Sequence, residues 1–309
     1  MSFSSDVKNE ITKKYTNEKS ALAELTAMVC FGGKLKKNEN GYFFYILTEN
    51  PCTARRVYSL LKGALEISSR IKIRKTSEKS TYYEVFTDNE ADIERLFEKC
   101  ALTDGDRGLD GFVSYRISPH IIPNRETKKA FVRGAFIVGG SVMNPKKNYH
   151  LEFTTSRYGL ANDFSSLLAD LGIAPKIVMR KSKYVLYYKS CDDITDVLTV
   201  LGAVNSLMDY HNTKIVKEVR NNINRTINCE TANMNKMIDA SVEQTMCIQK
   251  LIDKGIFNTL SDNLREIAEL RLKYPDYSLK ELGEAANPPI GKSGVNHRLR
   301  KIMDIAENC

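Results

Sequence analysis

Seven residues able to donate hydrogen bonds or carry positive charge crowd into one short stretch near the C-terminus: Lys292, Ser293, Asn296, His297, Arg298, Arg300 and Lys301. No acid intervenes before Asp304. An asparagine amide matches the edge of adenine in a DNA major groove, an arginine fork matches guanine, and lysine or serine suits phosphate oxygens. Helical spacing puts Ser293, Asn296 and Arg300 on one face. Val295, Leu299, Ile302 and either Ile305 or Ala306 form the opposite, apolar side. This is chemistry for holding or reading duplex DNA. Groups for bond-making are dispersed: the seven cysteines and four histidines occur singly, without a Cys-x-x-Cys pair. Gly291-Lys292-Ser293 lacks the upstream glycine of a phosphate-binding loop. No metal or cofactor is expected.

The elements that must position these residues are also legible. Ser261 or Asp262 starts a helix carrying Leu264, Ile267, Ala268, Leu270 and Leu272, which ends before Pro275. Ser278 caps a short helix from Leu279 to Ala286, with Glu281 placed to complete a capping box. Asn287 to Gly291 form a turn, and Ser293 is expected to cap a last helix from Gly294 to Glu307. Two short helices about a tight turn in a trihelical bundle make a helix-turn-helix. Ser278 and Lys280 therefore join the expected DNA contacts. Upstream, strand signals vanish from about Asn212. Asn221 to Asn228 reads as a hinge before a long helix from about Glu230 to Lys254, which Gly255 stops. The asparagines of the stretch from Asn228 to Lys236, with Lys236 itself, suit either phosphate contact or connector packing.

The first two thirds of the chain repeat themselves. Ala27 to Phe31 runs into Gly32-Gly33, and Gly134 to Val138 runs into Gly139-Gly140, 107 residues later. At the same offset the strand-like Tyr42 to Ile46 matches Tyr149 to Phe153. Each copy then gives a helix (Thr53 to Leu65, Leu160 to Gly172), a basic strand (Ile71 to Lys75, Lys176 to Lys183), a second strand (Tyr82 to Phe86, Tyr184 to Tyr188) and a closing helix (Glu90 to Lys99, Asp192 to Leu201). Such a pattern predicts an α+β fold with helices on one sheet face. The glycine pairs permit close helix approach and a left-handed exit from the last turn. Gly105, Gly108 and Gly111, then Pro119 and Pro123 in the Ile117 to Arg125 segment, mark a crossover between the halves.

The order of elements and the helices ending in Gly-Gly resemble the LAGLIDADG homing endonucleases. With the Asn228 to Lys236 stretch and the Ser278 to Lys301 region, including its Pro-Pro turn, nearly the whole chain resembles the WhiA family. In the nuclease family an acid at the tip of each paired helix holds divalent metal. Those positions are Gly32 and Gly139 here, and glycine offers no side-chain ligand. The nearest acids are Glu24 and Glu152, neither at a helix tip. The resemblance implies a degenerate, catalytically dead LAGLIDADG-like domain over residues 1–213, with halves of about 1–110 and 126–210. It implies a helical linker and DNA-binding helix-turn-helix domain over 214–309. The implied role is a cytoplasmic, nucleoid-associated regulator of transcription, cell division, chromosome segregation and, in spore formers, sporulation.

Length and charge agree with that organisation. A chain of 309 residues with 42% hydrophobic content supports two cores, and the net charge of +8 permits nucleic-acid binding. No apolar run is long enough for a signal peptide or a membrane span, so no membrane partner is expected. Lys72, Arg74 and Lys75 in the first half correspond to Lys176, Arg180, Lys181 and Lys183 in the second, an arrangement suited to secondary DNA contacts. Solvated strand ends would look the same, and Glu84 and Glu152 nearby would repel phosphate. The expected partners are double-stranded DNA and other regulatory proteins. Two other readings stand beside this one: a metal-dependent endonuclease with its site rebuilt around Glu24 or Glu152, and a protein-binding scaffold.

Overall fold

The computed structural model describes residues 2–308 apart from 40, 76–80, 104–108, 110 and 112, so Gly105 and Gly108 lie outside the described residues. Residue contacts divide the chain into two units, Met1–Lys217 and Glu218–Cys309.

The first unit opens with helix α1 (Phe3–Ile11), which the sequence pattern did not reveal because only Val7 and Ile11 are buried along it. Two copies of one motif follow. The first is α2 (Glu18–Gly32), β1 (Gly33–Asn38), β2 (Gly41–Thr48), α3 (Pro51–Leu65), β3 (Arg70–Lys75), β4 (Thr81–Thr87) and α4 (Glu90–Lys99). The second is α5 (Arg125–Gly139), β5 (Gly140–Val142), β6 (Leu151–Thr155), α6 (Tyr158–Asp170), β7 (Lys176–Arg180), β8 (Lys183–Tyr188) and α7 (Cys191–Leu201). Asn17, Asn50, Asn89 and Asn124 accept backbone N–H bonds at the starts of α2 to α5, satisfying donors that the first turn leaves open.

Each copy folds into its own antiparallel four-stranded sheet, in the orders β1-β2-β4-β3 and β5-β6-β8-β7. The register repeats as well: Gly33 pairs with Ile46, and Gly140 with Phe153. Strand alternation buries Phe44, Ile46 and Val85 in one sheet and Leu151, Phe153 and Leu186 in the other, all against the helices. The opposite sheet faces are left to other contacts.

Helices α2 and α5 pack side by side at the centre. A Cβ on Gly134 would lie 2.1 Å from the Glu24 carbonyl oxygen and 3.0 Å from the Ala27 Cβ, so only glycine admits this approach. Gly32 faces Val138, and Gly139 faces Phe31. The expected left-handed exit is absent: Gly33 and Gly140 have φ of −70° and −96° with extended ψ, because the chain passes straight from helix into strand.

The expected hinge at Asn221 to Asn228 is absent too. One helix, α8 (Val204–Asp253), runs through it without a break, and every residue from 218 to 240 is exposed. Asparagine lowers helix propensity but does not end a helix as proline does. Gly255, at φ +70°, follows its end.

The second unit has its own core. Ile248 and Leu251 of α8 pack with α9 (Asp262–Lys273), α10 (Leu279–Ala285) and α11 (Lys292–Glu307) through Leu264, Ile267, Leu282, Leu299 and Ile302. This is the trihelical arrangement that the apolar periodicity predicts.

Candidate nucleic-acid interface

The turn between α10 and α11 is built from specific backbone contacts. Ser278 Oγ accepts from the Glu281 N–H at 3.3 Å, and Glu281 Oε2 accepts from the Ser278 N–H at 2.7 Å, completing the capping box. The Ser278 backbone beside Glu281 holds its carboxyl below the usual carboxylate range. At the far end of α10 the Ile290 N–H donates to the Gly283 carbonyl at 2.9 Å, and a Cβ on Gly283 would meet the Ile290 oxygen at 2.2 Å. The Asn287 N–H donates to Glu266 at 2.6 Å, tying the turn to α9. Arg271, buried and with its pKa lowered by desolvation, donates to the Pro275 and Tyr277 carbonyls and so fixes the α9–α10 loop.

Those constraints present the first turns of α11. Val295, Leu299, Ile302 and Ala306 are buried, while Ile305 is only partly so. Lys292, Ser293, His297, Arg300 and Lys301 are exposed, and Asn296 is half-buried beside them. Ser293 lies within the helix: Gly291 occupies the N-cap position and no side chain caps it, which corrects the expected capping role. Arg298 turns toward α9, donating to the Asn263 carbonyl at 3.3 Å and lying 3.8 Å from Glu266, so it stands apart from the group. Lys280 is exposed on α10 at 3.8 Å from Glu284. Ser278 spends its hydroxyl oxygen on the cap.

The basic residues of the first unit lie on sheet edges. β3, with Lys72, Arg74 and Lys75, is exposed along its whole length. Arg74 donates from Nε to the buried Glu84 at 2.7 Å, so the acid expected to repel phosphate has a cation of its own. On the second sheet Lys176 and Arg180 belong to edge strand β7, Lys183 starts β8, and Lys181 with Ser182, both at positive φ, form the tight turn between them. Glu152 is bound by His150 at 3.0 Å and by the Ser141 hydroxyl at 3.4 Å. Three cations that the sequence reading passed over share the outward side of the first sheet: Lys34, Lys36 and Arg70. Strand alternation is the signal that would have found them.

The paired-helix tips carry Gly32 and Gly139, without side-chain ligands. Glu24 is fully buried well short of the tip. Its carboxylate accepts from Arg56 Nε at 2.7 Å, Arg56 Nη2 at 2.9 Å and Arg133 Nε at 2.9 Å. Two guanidinium groups therefore take the oxygens a metal would need. Among the described residues no group of three or more His, Cys, Asp or Glu could hold a metal ion, and no helix is long and apolar enough to cross a membrane.

Comparison with known proteins places this arrangement. Three family models match in succession: the WhiA N-terminal LAGLIDADG-like domain over residues 18–103, the WhiA LAGLIDADG-like domain over 128–220 and the WhiA C-terminal HTH domain over 223–306. Proteins named "Probable cell division protein WhiA" from Clostridium beijerinckii and Clostridium tetani are each 45% identical to the chain, covering 99% of it and 98% of their own lengths. A full-length DUF199/WhiA crystal structure from Thermatoga maritima aligns with a TM-score of 0.59 at 23% identity, covering 100% of this chain and 99% of that one. At that identity the likeness speaks for the fold.

Proposed function

The chain belongs to the WhiA family, and from that premise we propose that it is a non-enzymatic DNA-binding regulator that holds duplex DNA through α11. The observation that carries this reading is the exposed, acid-free start of α11, held out by a glycine turn and a capping box on a packed trihelical core. Asn296 and Arg300 are assigned to base edges. Lys292, Ser293, His297 and Lys301 are assigned to phosphates, with Lys280 alongside. A helix N-terminus favours phosphate on its own account.

The duplicated unit, read as the catalytically dead domain over 1–213, supplies a second surface for DNA or for other regulatory proteins. Glycine at both acid positions, together with Glu24 bound by two arginines, supports a role without strand cleavage. The name that the relatives carry supports a role in cell division. Transcription control, chromosome segregation and, in spore formers, sporulation are the regulatory settings such DNA binding would serve, in the cytoplasm at the nucleoid. Mapping chromosomal occupancy of the wild-type protein against an Asn296→Ala/Arg300→Ala variant tests the assignment. Discrete sites lost in the variant are expected, and identical occupancy maps would refute it.

A further inference from the structure

The side of the first sheet turned away from the helices carries a cluster of rings. Phe44, Ile46 and Val85 face the core, so alternation sends Phe43, Tyr45, Tyr82 and Phe86 to the opposite face. Phe43 lies 5.6 Å from Tyr45 and 5.4 Å from Phe86, ring centre to ring centre. Lysines overhang the rings: Lys34 Nζ is 5.8 Å and Lys36 Nζ 5.5 Å from the Tyr45 centroid. The Arg70 guanidinium sits 4.9 Å from the Phe86 centroid.

A cavity of about 450 Å³ opens on this face among Lys34, Lys36, Phe43, Tyr45, Arg74 and Tyr82. Buried Glu84 also lines it, held by Arg74 through Oε2, so a planar donor-and-acceptor pair is presented at one side of the rings. Aromatic faces, cations for a phosphate chain and a charged pair able to meet a base edge are the parts of a stacking platform. In a duplex the base faces are covered by neighbouring pairs, so a platform of this kind suits a base that is unpaired. The second sheet lacks it. At the positions of Phe43 and Tyr45, 107 residues on, stand His150 and Glu152, which bind one another.

We propose that the outward face of the first sheet binds single-stranded nucleic acid. An unpaired base stacks on Phe43 and Tyr45 with its edge toward the Arg74–Glu84 pair, and the phosphates run along Lys34, Lys36 and Lys72. This site is independent of the duplex attachment assigned to α11, and either can fail alone.

The test is fluorescence anisotropy of the full-length protein with labelled oligothymidylate, an oligoribonucleotide and a duplex, at low ionic strength. Wild-type protein should bind the single strands. Tyr45→Ala and Phe43→Ala should each weaken that binding by about five- to a hundredfold, the usual cost of one lost base–aromatic stack. Tyr45→Phe should restore it, and Lys34→Glu/Lys36→Glu, which alters only exposed groups, should abolish it. Duplex affinity should be unchanged by Tyr45→Ala, and single-strand affinity unchanged by Arg300→Ala. Absent single-strand binding, binding indifferent to these substitutions, or an equal loss on duplex would overturn the proposal. Full competition by thymidine monophosphate would also overturn it, since a single nucleotide would then suffice.

Discussion

Asn296 and Arg300 are one helical turn apart on the side of α11 away from Val295 and Leu299, so each can reach a base edge without disturbing the core. Replacing either with alanine should weaken binding to the preferred sequence by about 1 to 3 kcal/mol and relax the preference at one base pair, measured on cognate and scrambled duplexes. Arg298→Ala should differ: because Arg298 is tied to α9, its loss should leave sequence preference intact and shift stability by less than about 1 kcal/mol. Titration offers another check. Burial lowers the Lys8 ammonium to about 8 from its ordinary 10.5, partly opposed by Glu49. The unfolded chain therefore binds more protons than the folded one between those values, and stability from this group rises across that window. Lys8→Met should raise the urea midpoint at neutral pH, and the gain should vanish once both states are deprotonated. Cys100, with its thiol pushed up to about 12, and Cys30, pushed higher still by burial, should resist thiol reagents until unfolding, whereas exposed Cys229 reacts at once. The α11 residue types and their shared face were readable because helical spacing alone sorts them. The diversion of Arg298 was not, since its partners lie on another helix.

Gly134 fixes how closely α2 and α5 approach, and Gly134→Ala should destabilise the first unit by about 1 to 3 kcal/mol in urea, as an overpacked helix contact does. Ser278→Ala removes one half of the capping box and should cost about 1 kcal/mol in the second unit. Helix α8 between residues 218 and 240 buries nothing, so its helicity rests on local propensity. Hydrogen exchange should find its amides weakly protected there, against strong protection in α2 and α5. Equal protection throughout would contradict this. Helices and strands of both halves were legible because period 3.6 and period 2 alternate with glycine breaks. Helix α1 was hidden by having two buried residues, and the asparagines at 221 to 228 imitated a hinge because poor helix formers look alike whether or not the helix continues. The exits at Gly33 and Gly140 were misread because a glycine pair permits a left-handed turn without requiring one.

In the molecule as a whole, a duplicated unit shaped like a DNA-cutting scaffold is joined to a second unit whose last helix carries the exposed cations. Supercoiled DNA incubated with Mg²⁺ or Mn²⁺ should remain intact, and nicking that depends on Glu152 would revive the endonuclease reading. The most direct trial of the account is duplex affinity as a function of salt, for wild-type protein and for Lys292→Ala/Arg300→Ala. Counterion release gives log K a slope against log salt of roughly −0.9 per phosphate neutralised. The wild type should therefore fall steeply, and the double variant should bind more weakly with a slope shallower by about one to two units. Superimposable salt curves for the two proteins would contradict the assignment of duplex attachment to α11.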